Sequence, residues 1–363
     1  MKIVQIITEL RPAGAERIVA ELAKGLVVRG HKLTVISLFP LPANSGIVDE
    51  LQESGVVIKS LNLTFSSLWR IFKLGKILDE IKPDIVHSHL FHAGLTVRLN
   101  SGNDDFKFFS TVHISEKRKS RQWYFLADRL SIKPFECTTA VSLAVRNYYS
   151  LKTGIPSDKI PVVYNGIIPP PHLSEHRVSA LREEWGMSDC DRVIGCVGRL
   201  DWQKGFDILL DFFYAERLRF KGIKLGIVIL GEGRERVKLE KTASALNSHK
   251  IKTLLPGFRA DAASCIGAFD LFVMPSRYEG FGLSLAEAMS HGVPILSSAA
   301  DSLPELLVSY PNGECIDFER DGATLIAEKI KELAGRTKII YKVPYTVDNM
   351  IDGYMKLYSK DKD

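Results

Sequence analysis

Long apolar runs are missing from this sequence. No stretch approaches the ~20 consecutive apolar residues that a membrane-spanning helix needs. The opening Met1–Thr8 has too short an apolar core for a secretory signal. These absences predict a cytoplasmic chain, or one lying peripherally on the inner face of a membrane. Cysteine is sparse: five residues at 137, 190, 196, 265 and 315, with no C-x-x-C pair. An odd, scattered set in a cytosolic chain predicts reduced core or surface thiols. Without a secretory signal, the acceptor pattern Asn62-Leu63-Thr64 carries no meaning. The first glycine turn holds only Gly14, and the next apolar segment ends Ser37-Leu38-Phe39-Pro40 with no acid. Both features argue against a nicotinamide dinucleotide. No nucleic-acid recognition motif and no solenoid repeat is present.

What is there is enough chain, 363 residues at 45 % hydrophobic, for two domains of ordinary size. Charge is unevenly placed. Residues 1–167 hold 22 Lys and Arg against 15 Asp and Glu, whereas residues 168–363 hold 26 against 28. The basic half suits an anionic surface or acceptor. Short apolar segments alternate with amphipathic ones throughout. Lys2–Ile7, a turn at Gly14, a helix over about 15–29 and a strand at 33–38 make a Rossmann-like opening. Further strands are expected at 56–61, 84–89, 108–113, 137–142, 192–197, 225–230, 251–255, 270–274 and, last, 295–297, with a strand and an N-G turn over 160–167 ending the first domain. Pro169-Pro170-Pro171 is the best linker.

The chain is organised around residues 270–294. An apolar run ending at Met274 reads as a buried parallel strand. A glycine-rich loop with Glu279, Gly280, Phe281, Gly282 and Leu283 follows, then a helix to about Ser290 that carries Glu287. Strand, glycine loop and helix aim free N–H groups and the positive helix end at an anion. The two flanking acids do not suit phosphate, but they accept hydrogen bonds from vicinal hydroxyls. The combination reads as a nucleotide-sugar site. The plain alternative is a strand–helix unit with two solvated acids.

The stretch P-S-x-x-E-G-F-G followed by E-A-M-x-x-G-x-P resembles the E-x7-E signature of retaining family-four glycosyltransferases with the GT-B fold. That resemblance implies an α/β chain of two facing Rossmann-like domains with a deep cleft between them. It places an acceptor-side domain at 1–168, joined by a C-terminal helix at about 346–363, and a donor domain at 169–345. Gly198-Arg199-Leu200-Asp201-Trp202-Gln203-Lys204-Gly205 is similar to the family's G-R-L-x-x-x-K-G, and Arg199 and Lys204 suit a diphosphate by charge and geometry. Gly14 matches the second glycine of the family's G-G-A-E, with Ala13 in place of the first; the resemblance sets its backbone by the donor phosphates. By the same route the Gly231 loop borders the nucleotide, and the Phe258-Arg259 loop meets the base largely through backbone. Asp189-Cys190-Asp191 is literally D-x-D, but it precedes a strand and reads as a turn.

Three further readings concern the first half. His87, His89 and His92 suggest a metal site, because His-x-His puts two rings on one strand face. No later ligand cluster completes it, and the family's D-x-V-H-x-H strand holds no metal. His113 ends a strand where doubly wound folds put ligands. Its plain reading is a core histidine; the resemblance puts it near the donor sugar. Lys117, Arg118, Lys119 and Arg121 precede Trp123, a composition for anionic lipid or an acceptor. The alternative is a solvated helix start, with Trp69–Lys73 a second candidate segment.

The expected reaction moves a sugar from a UDP- or GDP-hexose to a hydroxyl of a glycan or lipid-linked glycan, with retention and without metal or cofactor. Arg199, Lys204, the Gly14 backbone and the helix start near 281–283 would stabilise the leaving diphosphate. Glu279 would hold sugar hydroxyls, Glu287 the ribose, and His113 would orient the sugar. The alternatives are a GT-B nucleotide-sugar 2-epimerase and a sugar-nucleotide-binding module without turnover.

Overall fold

The computed structural model describes residues 1–360 apart from 12, 44 and 102–105. Pro12 of the first turn and residues 361–363 of the expected tail helix therefore lie outside the described residues. The fold divides into two compact units, Met1–Gly166 with Tyr345–Asp363, and Ile167–Pro344. The sequence expectation put the joints at 168/169 and 345/346.

The first unit is a six-stranded sheet built from β1 (Lys2–Ile7), β2 (Lys32–Ser37), β3 (Val57–Ser60), β4 (Ile85–His89), β5 (Lys107–Val112) and β6 (Glu136–Ala140). Its order is β3-β2-β1-β4-β5-β6 and all pairings are parallel. Strands such as β1 are buried on both faces, which explains their nearly unbroken apolar runs. The helix Gly14–Val28 buries Ile18, Leu22 and Leu26 at helical spacing. The helix Val347–Tyr358 returns to this unit. It packs beside Gly14–Val28 and buries Met350, Ile351, Tyr354 and Tyr358.

The second unit repeats the plan. Its strands are β7 (Arg192–Val197), β8 (Leu225–Leu230), β9 (Lys252–Gly257), β10 (Leu271–Met274), β11 (Ile295–Ser298) and β12 (Gly313–Ile316). The order β12-β11-β10-β7-β8-β9 is that of the first sheet. In both, chain direction across the sheet reverses between the first and fourth strands. Ligands of doubly wound sheets bind beyond the carboxyl ends at that reversal.

Several local expectations are corrected. Residues 160–167 form no strand; Val162 contributes a single bridge to Ala140. Residues 295–297 are not the last strand, because Gly313–Ile316 adds an edge. The helix expected from Phe281 starts at Leu283, since Gly282 adopts a left-handed conformation at its N-cap. The segment holding Trp69–Lys73 is a 3-10 helix, Phe65–Phe72, followed by an α-helix, Lys73–Ile81. A short helix, Leu303–Leu307, follows β11. Helices at Gly46–Glu53, Phe91–Asn100 and Arg236–Ser248 had no counterpart in the sequence reading.

Candidate functional site

In the second unit the loops after β7, β8 and β10 are knitted together by glycines. Gly231 has φ +149°, and a Cβ there would stand 1.9 Å from the Gly198 carbonyl oxygen. Gly205, at φ +66°, would put a Cβ 2.0 Å from the Pro275 carbonyl oxygen. The Leu200 N–H donates to Glu232 O at 2.9 Å, and the Arg277 N–H to Gln203 O at 2.8 Å. The Arg277 guanidinium is fixed on Asp207 at 2.8 and 3.0 Å. Only residues without side chains let these backbones approach so closely. The result is a rigid rim at the sheet's point of reversal.

Glu279 sits on that rim and is buried. Its Oε1 accepts from Lys204 Nζ at 2.6 Å and from Ser276 Oγ at 2.8 Å. Its own N–H donates to Asp301 Oδ2 at 3.0 Å. Asp301 is itself at φ +44°, a conformation non-glycine residues seldom adopt and which clusters at functional sites. The other carboxylate oxygen, Oε2, takes no hydrogen bond from a described residue. Arg199 is exposed, and its guanidinium has no ion pair among the described residues. Of the two expected diphosphate cations, one is thus open and the other is held by Glu279.

Gly280 and Phe281 are buried between Glu279 and the helix Leu283–Ser290, whose first N–H groups have no partner inside the helix. Leu283 and Glu287 are half-buried on it. Phe258 is 63 % exposed, whereas the Arg259 guanidinium is bound to Asp261 at 2.8 Å and to Glu184. Asp189 pairs with Lys252, and Asp191 accepts the Lys224 N–H at 2.8 Å, so this D-x-D serves a turn.

In the first unit Gly14 opens its helix. His87 and His89 are fully buried on one face of β4. His87 Nδ1 lies 2.6 Å from Tyr358 OH, and its Nε2 lies 2.7 Å from Thr111 Oγ1. His89 Nδ1 lies 3.0 Å from His113 Nε2. Burial, helped by His113, lowers the His87 pKa to about 3. Burial lowers that of His113 to about 4. His89 also falls well below its ordinary value through burial and the neighbouring imidazoles. The His-x-His pair is therefore part of a neutral network.

Farther along, buried Glu116 binds Arg121 at 3.1 Å and Arg118 at 3.5 Å. Arg118 and Arg121 are thus partly neutralised. Lys117, Lys119 and Trp123 are exposed, and Tyr124 stacks on Phe91 at 4.1 Å.

Two family models match in tandem, Glycosyltransferase Family 4 over residues 12–169 and Glycosyl transferases group 1 over residues 178–337. The chain belongs to these glycosyltransferases. It is 27 % identical over 282 residues to a 41.2 kDa protein in the cps region of Klebsiella pneumoniae, covering 73 % of this chain and 72 % of that one. It is 26 % identical over 232 residues to the O-antigen biosynthesis glycosyltransferase WclY of Escherichia coli, 62 % of each. The crystal structure of Anabaena Alr3699/HepE in complex with UDP-glucose superposes with a TM-score of 0.81 at 22 % identity, over 99 % of this chain and 100 % of that one. The fold of this glycosyltransferase is GT-B, as its motifs implied.

The sequence singled out Glu279, Lys204 and Arg199 but not the residues that hold them. Ser276 was visible inside P-S-x-x-E. Asp301 and Gln203, whose Nε2 donates to Tyr278 O at 3.1 Å, carried no spacing signal.

Proposed function

We propose that this glycosyltransferase transfers a hexose from UDP-hexose or GDP-hexose to a hydroxyl of a glycan or lipid-linked glycan, with retention, in surface polysaccharide or lipopolysaccharide synthesis. The carrying observation is Glu279: one oxygen fixed by Lys204 and Ser276, the other without a donor among the described residues, beside a helix start. Such a carboxylate is preorganised to accept from sugar hydroxyls. Exposed Arg199 and the helix start complement charge developing on the leaving diphosphate. Glu287, farther along the helix, is assigned to ribose hydroxyls. Gly14 and His113 of the first unit are assigned to the donor from family likeness. Fixed cations serve the leaving group, and the reaction draws on no metal or separate cofactor. The pathway is supported by the O-antigen and cps relatives.

A thermal-shift panel of UDP-, GDP- and ADP-sugars without added metal tests the donor site, because a ligand that binds only the native state raises its melting point. Stabilisation by one base series is expected. NMR of the product anomer then tests retention; an inverted anomer overturns it. Nucleotide-sugar binding without transfer or hydrolysis would favour a binding module, and a 2-epimerised donor would favour the epimerase.

We further propose that the first unit rests on anionic lipid. The helix Phe91–Asn100 lies between the segment 65–81 and the helix Trp123–Ser131. All three leave large apolar side chains exposed: Leu68, Trp69 and Phe72, Leu99, then Trp123, Leu126 and Leu130. Lys73 Nζ sits 5.1 Å from the Trp69 ring centre, so cation and aromatic share one surface. That mixture suits a headgroup interface. Salt-sensitive sedimentation with phosphatidylglycerol vesicles, and none with phosphatidylcholine vesicles, is expected; equal binding to both overturns the charge argument. Among the described residues no helix is long and apolar enough to cross a membrane.

A further inference from the structure

The His89–His113 contact fixes more than a distance. Both rings are held neutral by burial, His113 down to about pH 4. Two neutral imidazoles 3.0 Å apart share one proton in a single N–H···N bond, so one ring donates and the other accepts. If His113 donated from Nε2, His89 would carry its proton on Nε2. That atom is sealed from solvent and has no partner among the described residues. A buried N–H without an acceptor is a costly and rare arrangement; a buried lone pair without a donor is better tolerated. The cheaper state has His89 protonated on Nδ1, donating to a bare Nε2 of His113. His113, being neutral, then carries its own proton on Nδ1.

We infer that His89 is a positioning residue that locks His113 in the Nδ1–H tautomer, so that His113 meets the ligand as a neutral hydrogen-bond donor. Nδ1 is not among the sealed unpartnered atoms, and His113 as a whole is half-buried. A ring so arranged offers an N–H to a ligand oxygen and has no lone pair there to take a proton. It orients a sugar and does not serve as a general base. The inference rests on the reading that His113 faces the donor.

His89 is held in turn. β4 pairs with β5 so that His89 lies opposite Thr111. Thr111 Oγ1 contacts His87 Nε2 at 2.7 Å, Thr139 Oγ1 at 2.7 Å and Tyr354 OH at 3.0 Å. The His87 and His89 ring centres are 4.1 Å apart. The ring that selects the tautomer is thus packed against a network anchored by the returning helix.

Long-range proton–nitrogen NMR of the full chain, labelled at histidine nitrogens, separates protonated from bare ring nitrogens and needs no ligand. His113 is expected protonated at Nδ1 and bare at Nε2 between pH 8 and pH 5; a proton on Nε2 overturns the inference. In His89→Asp, which offers Nε2 an acceptor and no donor, His113 is expected to shift toward the Nε2–H form, whereas His89→Asn, of the same size and able to donate, is expected to keep Nδ1–H. Retention of Nδ1–H in His89→Asp would show that something else holds it and also overturns the inference. Should His89→Asp not fold, the wild-type spectrum alone decides. The reading that His113 faces the donor fails by a separate route: His113→Ala without effect on transfer would remove His113 from the donor, whatever its tautomer in the wild type.

Discussion

Lys204 and Glu279 hold each other, Nζ donating to Oε1 at 2.6 Å with both side chains mostly buried. On the proposed reading, a diphosphate arriving at Lys204 would meet an ammonium already oriented by a carboxylate. Removing either partner leaves the other without its counter-charge.

Lys204→Ala is therefore expected to weaken binding of bare UDP or GDP, to lower turnover, and to cost about 2 kcal/mol of stability. Titration calorimetry with the diphosphate and a thermal melt measure both. Unchanged diphosphate affinity removes Lys204 from the phosphate site.

Glu279→Ala is expected to separate catalysis from nucleotide binding. Turnover should fall roughly a hundredfold, while diphosphate affinity stays within about threefold, because the lost oxygen is the one proposed to serve sugar hydroxyls. Equal losses in both would put Glu279 on the nucleotide instead.

Gly231→Ala should disrupt the rim. Its Cβ would overlap the Gly198 carbonyl oxygen at 1.9 Å, backbone against backbone. The expected cost is about 3 kcal/mol or more. Gly222→Ala is the control: it shares a left-handed backbone, at φ +94°, but faces open space, so only about 1 kcal/mol is expected. Urea denaturation of the pair separates overlap from conformational strain; equal costs would show the rim can relax.

Acid should destabilise the first unit before most carboxylates titrate. Its buried imidazoles are neutral in the fold, His87 down to about pH 3 and His113 to about pH 4. In the unfolded chain they protonate near the ordinary value of about 6.5. Between these values the unfolded state binds more protons, so stability is full above pH 6.5 and falls as pH drops toward 4. The slope is at most about 1.4 kcal/mol per pH unit for each ring. Melts of the wild type and of His87→Asn across that range check it; the variant should show a flatter decline, and an identical slope would clear His87 of the effect.

The centre of the second unit was legible because its strand, its glycines and its acids lie within one short stretch. The strand β10 reads as an apolar run, and Gly282 marks the start of a helix. The supports of Glu279 were harder. Asp301 follows a different strand, 22 positions away, and only the parallel pairing of β10 with β11 brings it back. The helix Phe91–Asn100 was missed because Ala93, Gly94, Thr96, Val97 and Arg98 are buried around most of its circumference, which erases the polar stripe that helical periodicity depends on. Arg236–Ser248 was legible in principle, since Leu239, Ala243 and Leu246 recur at helical spacing beneath a charged surface. The His89–His113 contact joins two strand ends 24 residues apart, and no spacing rule announces it.

The helix Val347–Tyr358 belongs to the first unit but leaves the ribosome only after the whole second unit has been made. Until then His87 lacks the Tyr358 hydroxyl and Thr111 lacks that of Tyr354. The order of synthesis thus runs against the order of completion. The nascent second unit has its described strands while the first still waits for its closing helix.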